Sequence, residues 1–273
     1  MTRICLHDPS VIANYLVQES ALNLYQIGDL SDFFWPHTLW YGWVEDQALK
    51  AVALVYTGDA VPVLLLMEDT SWAHQLLTAL APVLPHRFYA HLRPGLASAL
   101  PFKGEGGDVY VRMLQKTPLN PTALTAIAAR HPHVQARLLQ PSDQAQVEAF
   151  YAQHYPKNWF NPRMLTTRAY LALTETQHAE HGENSILAIA GVHVLSQEQQ
   201  MAALGNIAVH EAHQGIGLGQ WATGLLCQHL RTQLGVSTLG LNVHRDNTKA
   251  QSCYKRLSFE SVATYQEWTF VQN

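Results

Sequence analysis

The segment from Leu204 to Gly219 constrains this chain most, because an apolar strand pattern runs directly into a glycine-rich turn. Its sequence is Leu-Gly-Asn-Ile-Ala-Val-His-Glu-Ala-His-Gln-Gly-Ile-Gly-Leu-Gly. Beyond it, Trp221, Leu226 and Leu230 recur near helical spacing, which predicts a helix from about Gln220. Glycines let backbone N–H groups converge, and the dipole of a helix favours negative charge at its N-terminus. This order of strand, turn and helix therefore predicts an anion site, and we expect the anion to be a diphosphate.

Three phosphate-binding patterns can be compared with this turn. A Walker loop ends in Gly-Lys-Ser/Thr, and no lysine follows these glycines. The dinucleotide fingerprint G-x-G-x-x-G requires glycine where Gln220 stands. The third pattern, Gln/Arg-x-x-Gly-x-Gly, fits Gln214 to Gly219 at every position. Taken alone, such a turn is also compatible with a tight turn that binds nothing.

A second motif follows a short apolar strand, Leu239–Val243. It fits the pattern Asn-x-x-Ala-x-x-x-Tyr-x-x-x-Gly-Phe at Asn247, Ala250, Tyr254 and Phe259. Ser258 stands in the glycine position, so it must adopt a left-handed backbone or alter the end of the helix.

In this order and separation, the two motifs resemble those of the GNAT superfamily of acyl-CoA-dependent N-acyltransferases. The resemblance covers roughly residues 136 to 273, and the organisation is similar to that of two-domain glycine N-acyltransferases. It implies an α/β (α+β) fold of tandem GNAT-like domains, each a mixed, mostly antiparallel twisted sheet flanked by helices. It also implies that two parallel strands splay apart in the C-terminal domain and hold the acyl-CoA.

The resemblance implies that the glycine turn holds the pyrophosphate of coenzyme A, with acetyl-CoA as the acyl donor and no metal. Backbone groups of Ile207 and Val209 would bind the pantetheine amide and polarise the thioester carbonyl, in the manner of an oxyanion hole. The implied coenzyme-binding residues are Ile207, Ala208, Val209, Gln214, Gly215, Ile216, Gly217, Leu218, Gly219, Asn242, Asn247, Ala250 and Tyr254.

Tyr254 is the predicted catalytic residue. It shares a helix face with Asn247 and Ala250, and the small Ala250 leaves room for a thin pantetheine arm. A phenol, with an ordinary pKa near ~10, is a proton donor at neutral pH, which suits a thiolate leaving group. A half-buried core tyrosine is the commoner role for a helical tyrosine, and the family resemblance favours the acid.

The sequence leaves the general base open. Several GNAT enzymes place Glu or His along the fourth strand, where this chain has Ala203 and Gly205. His193, His210 and Glu211 are candidates, and the acceptor amine could also arrive already deprotonated.

Length indicates two domains, because 273 residues exceed the ~250 at which a single core stops growing. We predict a degenerate GNAT-like domain over residues 1–116, a linker over 117–134 and an N-acetyltransferase domain over 135–273. The linker is interrupted by Pro118, Pro121 and Pro132.

The first half repeats the order of elements of the second half only loosely. Val61–Met67 is predicted to be a strand, and a helix is predicted from Ser71 to Leu84. Glu68 and Asp69 stand between them, where a phosphate turn would lie, and their charges would repel a diphosphate. We therefore expect one coenzyme site per chain. Two aromatic-rich segments, Phe33–Trp43 and Tyr151–Phe160, each supply either packing or part of the acceptor site. For the second, the resemblance implies that the corresponding loop shapes the acceptor pocket.

Composition narrows the possible partners. The net charge is −4 and there is no long basic run, which argues against a nucleic-acid surface. No apolar run reaches the ~18 residues of a membrane span, and no signal segment is evident, so we expect a cytoplasmic protein. Cys5, Cys227 and Cys253 are read as free thiols of a reducing compartment. His178, Glu180 and His181 are read as a solvated loop in preference to a metal site.

The predicted function is therefore acetyl transfer from acetyl-CoA to a primary amine of a small molecule or amino acid, by direct attack. One alternative is a non-catalytic acyl-CoA sensor or interaction module. The other is a nucleotide-binding enzyme that uses Gly215–Gly219, which the missing lysine and third glycine disfavour. The acceptor and the oligomeric state are not indicated.

Overall fold

A computed structural model describes residues 2–119, 121–176 and 184–272. Its helices and strands, in chain order, are β1 (Thr2–Leu6), α1 (Pro9–Leu16), α2 (Leu24–Gly28), β2 (Thr38–Glu45), β3 (Ala48–Tyr56), β4 (Val63–Leu66), α3 (Ser71–Leu80), β5 (Arg87–Leu92), β6 (Gly104–Gln115), α4 (Pro121–Ala128), β7 (Val134–Leu138), α5 (Gln144–His154), β8 (Leu171–Thr176), β9 (Asn184–Ser196), β10 (Met201–Val209), α6 (Leu218–Gln233), β11 (Thr238–His244), α7 (Thr248–Arg256) and β12 (Phe259–Val271).

The chain forms two compact units. The first unit comprises Met1–Met113, Asn242–Asn247 and Ser261–Asn273, and the second comprises Leu114–Leu241 and Thr248–Glu260. The boundaries expected from the sequence, at residues 116 and 135, stay a prediction.

The first unit is built on a sheet with the strand order β1-β2-β3-β4-β5-β12-β6. The pairs β1–β2, β2–β3, β3–β4 and β5–β12 are antiparallel, whereas β4 and β5 run parallel from Val63↔Tyr89 to Leu66↔Leu92. The last strand of the chain, β12, joins this sheet by antiparallel pairing with β5. Helix α3 packs on the sheet, because Leu76, Leu77 and Leu80 lie on its buried face.

Helix α3 begins as predicted and ends early. Thr70 is its N-cap, with Oγ1 accepting a hydrogen bond from the amide of Ala73 at 3.1 Å. The helix was expected to reach Leu84, but Pro82 lies in the 3₁₀ turn Ala81–Val83 that follows Leu80. Proline has no N–H to continue the α-helical ladder, which accounts for the change.

In the aromatic segment Phe33–Trp43, some of the side chains are buried in the core of the first unit. Trp40 is 3% exposed, stacks on Trp35 at a centroid distance of 6.4 Å, and donates from Nε1 to Thr38 Oγ1 at 2.8 Å. Phe34 is also buried.

The second unit has the strand order β11-β10-β9-β8-β7, with antiparallel pairs except for β10 and β11. Helix α6 contacts β8, β9 and β10, and α5 contacts β10. At Gly224 of α6, a Cβ would meet Leu124 of α4 at 2.5 Å and Leu257 at 3.3 Å, so glycine permits close helix packing here. Both units are mixed, mostly antiparallel sheets with helices packed on them, which confirms the predicted fold class.

Among residues 2–119, 121–176 and 184–272, no helix has both the length and the apolar character needed to cross a bilayer.

Candidate active site

Strand β10 carries a bulge near its end. The parallel pairing of β10 with β11 runs from Met201↔Thr238 to Leu204↔Leu241, and β10 continues beyond the last pair to Val209. Its antiparallel register with β9 changes between Gly205 and Ala208, where β10 contains one more residue than its partner. A bulge re-aims the backbone groups within it. Ile207 lies in this bulge, and it is one of the two residues, with Val209, whose backbone groups are predicted to bind the pantetheine amide and polarise the thioester carbonyl.

Asn206 lies inside the bulge, and hydrogen bonds hold both its backbone carbonyl and its side chain. Its φ is +51°, in the left-handed region, and it is 3% exposed. Tyr151 donates from its hydroxyl to the Asn206 carbonyl at 2.5 Å, and Asn206 Nδ2 donates to the Tyr170 hydroxyl at 2.8 Å. The backbone N–H of Trp159 donates to Asn206 Oδ1 at 3.0 Å.

The glycine turn follows directly after β10. Gly215 and Gly217 have φ values of +82° and +101°, so each adopts a conformation that side chains with a Cβ rarely accept. Gly217 is the N-cap of α6, and no side chain of the described residues caps that helix. A Cβ on Gly219 would lie 3.2 Å from Val209 Cγ2, so this glycine lets the helix pack closely on the strand. The first-turn amides of α6 are therefore presented by a turn that needs glycine.

The other residues of the predicted turn surround this N-terminus. Gln214 is exposed and donates from Nε2 to the carbonyl of Val209 at 3.4 Å. Ile216 is 43% exposed, whereas Leu218 is 1% exposed and anchors the first turn of α6 in the core. Ala208 is 7% exposed, so it contributes its backbone more than its side chain to any ligand.

Arg130 and His131, which precede β7, lie against the glycine turn. Sequence reasoning missed both residues. A Cβ on Gly217 would lie 3.3 Å from Arg130 Nη2, which places a guanidinium beside the N-terminus of α6. His131 Nε2 lies 3.1 Å from the carbonyl oxygen of Ile216, and its ring stacks on Trp221 at 6.4 Å. The turn and these residues are far apart in sequence, so no local pattern could have indicated the contact.

Helix α7 carries Ala250 and Tyr254 and contacts α6. Tyr254 is 9% exposed, and its ring lies 6.2 Å from that of Phe259. Ser258, which replaces the expected glycine, has a φ of +63° and so takes the left-handed conformation. The helix therefore ends as the motif requires, although serine occupies the glycine position.

Asn242 and Asn247 belong to the first compact unit. Asn242 Oδ1 accepts a hydrogen bond from Arg112 Nε at 3.0 Å. Asn247 precedes α7, and its backbone N–H donates to the carbonyl of His244 at 3.0 Å. The coenzyme contacts predicted for both residues remain predictions.

His193 lies beside the bulge. It is the extra residue of β9 where the register changes between Ala203 and Leu204. A Cβ on Gly205 would overlap its imidazole, so the ring of His193 occupies the place of a side chain at position 205. The imidazole of His193, which comes from β9, thus packs against β10 at Gly205, although β10 itself has only alanine at position 203 and glycine at position 205.

His210, which follows β10, belongs to a histidine cluster. Its ring lies 4.1 Å from that of His154 and 5.2 Å from that of His213. Its Nδ1 accepts a hydrogen bond from the amide of Ala212 at 3.2 Å. Burial, together with the two neighbouring histidines, lowers the pKa of His210, so its ring is neutral at neutral pH. Glu211, the third candidate base, is exposed.

The described cysteines are free, as predicted. Burial raises the pKa of Cys227 to about 12 and that of Cys253, the neighbour of Tyr254, to about 11. Within the described residues, His, Cys, Asp and Glu side chains form no group of three or more that could hold a metal ion. The polar stretch with His178, Glu180 and His181 lies outside those residues.

A model of the acetyltransferase (GNAT) family matches residues 139–259, which include the bulge, the glycine turn and Tyr254. These residues of the chain therefore form a GNAT domain. No curated protein matches its sequence.

Solved structures resemble this chain over its whole length. A Drosophila protein matches with a TM-score of 0.66 and 14% identity, over 99% of this chain and 98% of that chain. A GNAT acetyltransferase from Colwellia psychrerythraea has a TM-score of 0.55 and 13% identity, with 100% of both chains covered. A tandem GNAT protein from the clavulanic acid biosynthesis pathway has a TM-score of 0.57 and 13% identity, over 98% of this chain and 97% of that chain. At these identities the likeness concerns the fold, and it confirms the predicted tandem layout.

Proposed function

We propose that this GNAT acetyltransferase transfers an acetyl group from acetyl-CoA to a primary amine of a small molecule or amino acid. The observation that carries the proposal is the order of elements in the second unit: the bulged end of β10, the glycine turn and the uncapped N-terminus of α6. This order places an amide of the bulge and the amides of a helix N-terminus on consecutive segments. The first suits a thioester carbonyl, and the second suits a diphosphate.

The turn fits a diphosphate in charge and in shape. Gly215 has no atom within 4 Å of its Cβ position, which leaves space above the turn. Gly217 directs its Cβ position towards Arg130 Nη2 at 3.3 Å, so the cradle is bounded by a cation. We infer that Arg130 adds a charge-assisted hydrogen bond to those of the backbone. With Gln214 exposed beside it, the turn would bind the phosphates without any metal.

Tyr254 and the bulge amides are assigned to the acyl-transfer step. Acetyl-CoA supplies the thioester, and coenzyme A is the leaving thiol. The amide of Ile207 would donate to the thioester oxygen, where negative charge develops. As the amine nitrogen bonds to the acyl carbon and the carbon–sulfur bond breaks, Tyr254 would give its proton to the sulfur.

Direct attack by the amine is favoured over an acyl-cysteine intermediate. Cys253 is adjacent to Tyr254, but burial raises the pKa of its thiol to about 11. Cys227 is buried as well, with a pKa of about 12. A thiol becomes nucleophilic as its thiolate, so neither of these side chains is activated at neutral pH.

For the proton of the amine, we propose His193 as the acceptor. Its imidazole fills the place of a side chain at Gly205, directly before the bulge. His210 is neutral and also able to accept a proton, but its Nδ1 is engaged by Ala212 and its ring packs between two histidines. His193, from β9, therefore places its ring at a position of β10 that lies two residues before Ile207.

A thiol-release assay with acetyl-CoA and a panel of primary amines, amino acids included, tests the activity. We expect amine-dependent release of coenzyme A and a product heavier by one acetyl group in mass spectrometry. The competing role is a non-catalytic acyl-CoA sensor. Tight acetyl-CoA binding by calorimetry, without release for any amine class, would favour the sensor. Failure to bind acetyl-CoA would reject both roles.

A further inference from the structure

The side chain of Asn206 makes hydrogen bonds at both of its ends inside the bulge of β10. The backbone N–H of Trp159 can only donate, so the atom of Asn206 that it contacts is the amide oxygen. The amide nitrogen then faces the hydroxyl of Tyr170, which in turn donates to the carbonyl of Val192 at 3.1 Å. Both ends of the Asn206 side chain are thus used, in a site where it is 3% exposed.

The Asn206 backbone is held as well. Its left-handed φ of +51° is a conformation that asparagine tolerates better than most residues with a Cβ. Tyr151, from α5, donates to its carbonyl at 2.5 Å. Burial raises the pKa of Tyr151 well above its ordinary value, so this hydroxyl keeps its proton and stays a donor. Because the carbonyl of Asn206 and the amide of Ile207 belong to one peptide group, fixing the first orients the second.

The same side chain anchors the segment Tyr155–Asn161, which connects α5 to the 3₁₀ turn Pro162–Thr167. Trp159 is attached through its backbone to Asn206 Oδ1. The next ring, that of Phe160, lies 5.3 Å from the ring of Tyr151 and 5.6 Å from that of Tyr170. Trp159 itself is 45% exposed, so this anchored segment presents a large apolar side chain to solvent.

We propose that Asn206 is a positioning residue that sets two parts of the active site at once. Through its carbonyl it aims the Ile207 amide at the thioester oxygen, and through its side-chain amide it holds the segment Tyr155–Asn161 as the acceptor side of the site. The proposal rests on the proposed acetyl transfer. It requires that loss of the Asn206 amide impairs chemistry and acceptor binding together, while the glycine turn keeps its affinity for the coenzyme.

The test uses Asn206→Gly, which accepts the left-handed backbone but removes the side-chain amide. In the full-length protein we expect kcat to fall about 10- to 100-fold and the acceptor KM to rise, by analogy with the loss of one oxyanion donor. We expect the Kd for acetyl-CoA, measured by calorimetry, to stay within about twofold. A purely structural role would instead lower coenzyme affinity and thermal stability in parallel with activity.

Tyr151→Phe is the second variant, because it keeps the ring and removes only the donor to the Asn206 carbonyl. It should lower kcat with little change in the acceptor KM, which separates the bulge from the acceptor segment. Tyr15→Phe, which removes a part-buried hydroxyl in the first unit, is the matched control and should leave both constants unchanged.

The outcomes separate this inference from the proposed function. If the wild-type protein acetylates no amine, the proposed function has failed first. If the wild-type protein is active and both Asn206→Gly and Tyr151→Phe keep kcat and the acceptor KM within twofold, Asn206 has no positioning role. An equal loss in Tyr15→Phe would likewise overturn the inference.

Discussion

At the scale of single residues, the glycine turn depends on backbone conformation. Gly217 has a φ of +101° and lies beside Arg130. In Gly217→Val, a β-branched side chain would meet a backbone conformation that it strongly disfavours and would press on Arg130. We expect the Kd for acetyl-CoA, measured by calorimetry, to rise by at least about 100-fold, with the circular dichroism spectrum of the folded protein retained. Gly235→Val, at another left-handed glycine in an open position, is the matched control. Parent-like affinity in Gly217→Val would contradict the diphosphate assignment.

Tyr254 is the predicted proton donor to the leaving thiolate. Tyr254→Phe keeps the buried ring and removes the phenol hydroxyl. Because general acid catalysis contributes ~10²–10⁴-fold, kcat should fall within that range while the Kd for acetyl-CoA barely changes. Pre-steady-state thiol release is the appropriate measurement, since it reports the chemical step. Unchanged release would mean that another group protonates the sulfur.

His193 is the proposed base, and the loss of activity on its replacement should depend on pH. In His193→Gln we expect kcat/KM to drop by ~10²–10⁴-fold near pH 7. The deficit should shrink towards pH 9, because a primary amine with a pKa near ~10 then supplies more of its own deprotonated form. His210→Gln serves as the comparison and should retain most of the activity. A deficit in His193→Gln that is constant with pH, or a larger one in His210→Gln, would point to a different base.

Sequence reasoning reached some of these residues and missed others for a physical reason. Gly215 and Gly217 were predictable, because a turn before a helix demands their conformations locally. Arg130 was missed, because its place beside the turn comes from a contact with a residue far along the chain. The segment containing Trp159 was an acceptor candidate, but its attachment to Asn206 could not be predicted for the same reason. Asn206 did leave a signal, since a polar residue interrupts an apolar strand run, but its partners could not be read from the sequence.

At the scale of elements, helix α1 and strand β3 of the first unit both donate hydrogen bonds to the carboxyl group of Glu68. Tyr15 donates to Glu68 Oε2 at 2.8 Å, and the amide of Val52 donates to Oε1 at 3.3 Å. Burial raises the pKa of Glu68 from 4.5 to about 7, although both hydrogen bonds act to lower it. The folded state therefore holds this proton to a higher pH than the unfolded state. The resulting stabilisation is complete below about pH 4.5 and is lost as the pH rises through 7.

Glu68→Gln should remove this dependence on pH. Glutamine carries no charge, so the variant should gain stability relative to the wild type between pH 5 and pH 8, by up to roughly 3 kcal/mol. Thermal unfolding of both proteins at the two pH values measures the difference. Glu19→Gln, at an exposed glutamate, is the control and should show no such gain. A Glu68→Gln difference that is the same at both pH values would contradict the raised pKa.

Element boundaries show where local patterns suffice. The strand before α3 and the Thr70 cap follow from a short apolar run and from capping chemistry, and the structure contains both, with the strand at Val63–Leu66 within the predicted Val61–Met67. The strand pattern of β12 is equally local, but its neighbour in the sheet is not. Its pairing with β5, from Gln266↔Leu92 to Val271↔Arg87, joins residues that are far apart in the chain. No periodicity within Phe259–Val271 specifies that partner.

At the scale of the whole molecule, the two units differ at the strand-to-helix junction that would hold a diphosphate. In the second unit this junction is the glycine turn, and no described side chain caps α6. In the first unit, Glu68 and Asp69 precede α3, and Thr70 Oγ1 accepts a hydrogen bond from the amide of Ala73. One first-turn amide of α3 is thus already satisfied by a side chain, and the exposed carboxyl group of Asp69 precedes the helix, so a diphosphate would find fewer free donors and an unfavourable charge.

We therefore expect one coenzyme per chain, bound in the second unit. Isothermal titration of the full-length protein with acetyl-CoA should give a stoichiometry of one, and Gly217→Val should abolish the binding heat completely. Thr70→Gly provides the complementary variant, because it frees the first-turn amide of α3 while Glu68 and Asp69 remain. It should leave the stoichiometry at one, since the carboxyl groups still oppose an anion there. A stoichiometry of two in the wild type, or a residual site in Gly217→Val, would show that the first unit also binds coenzyme and would defeat the prediction of a degenerate half.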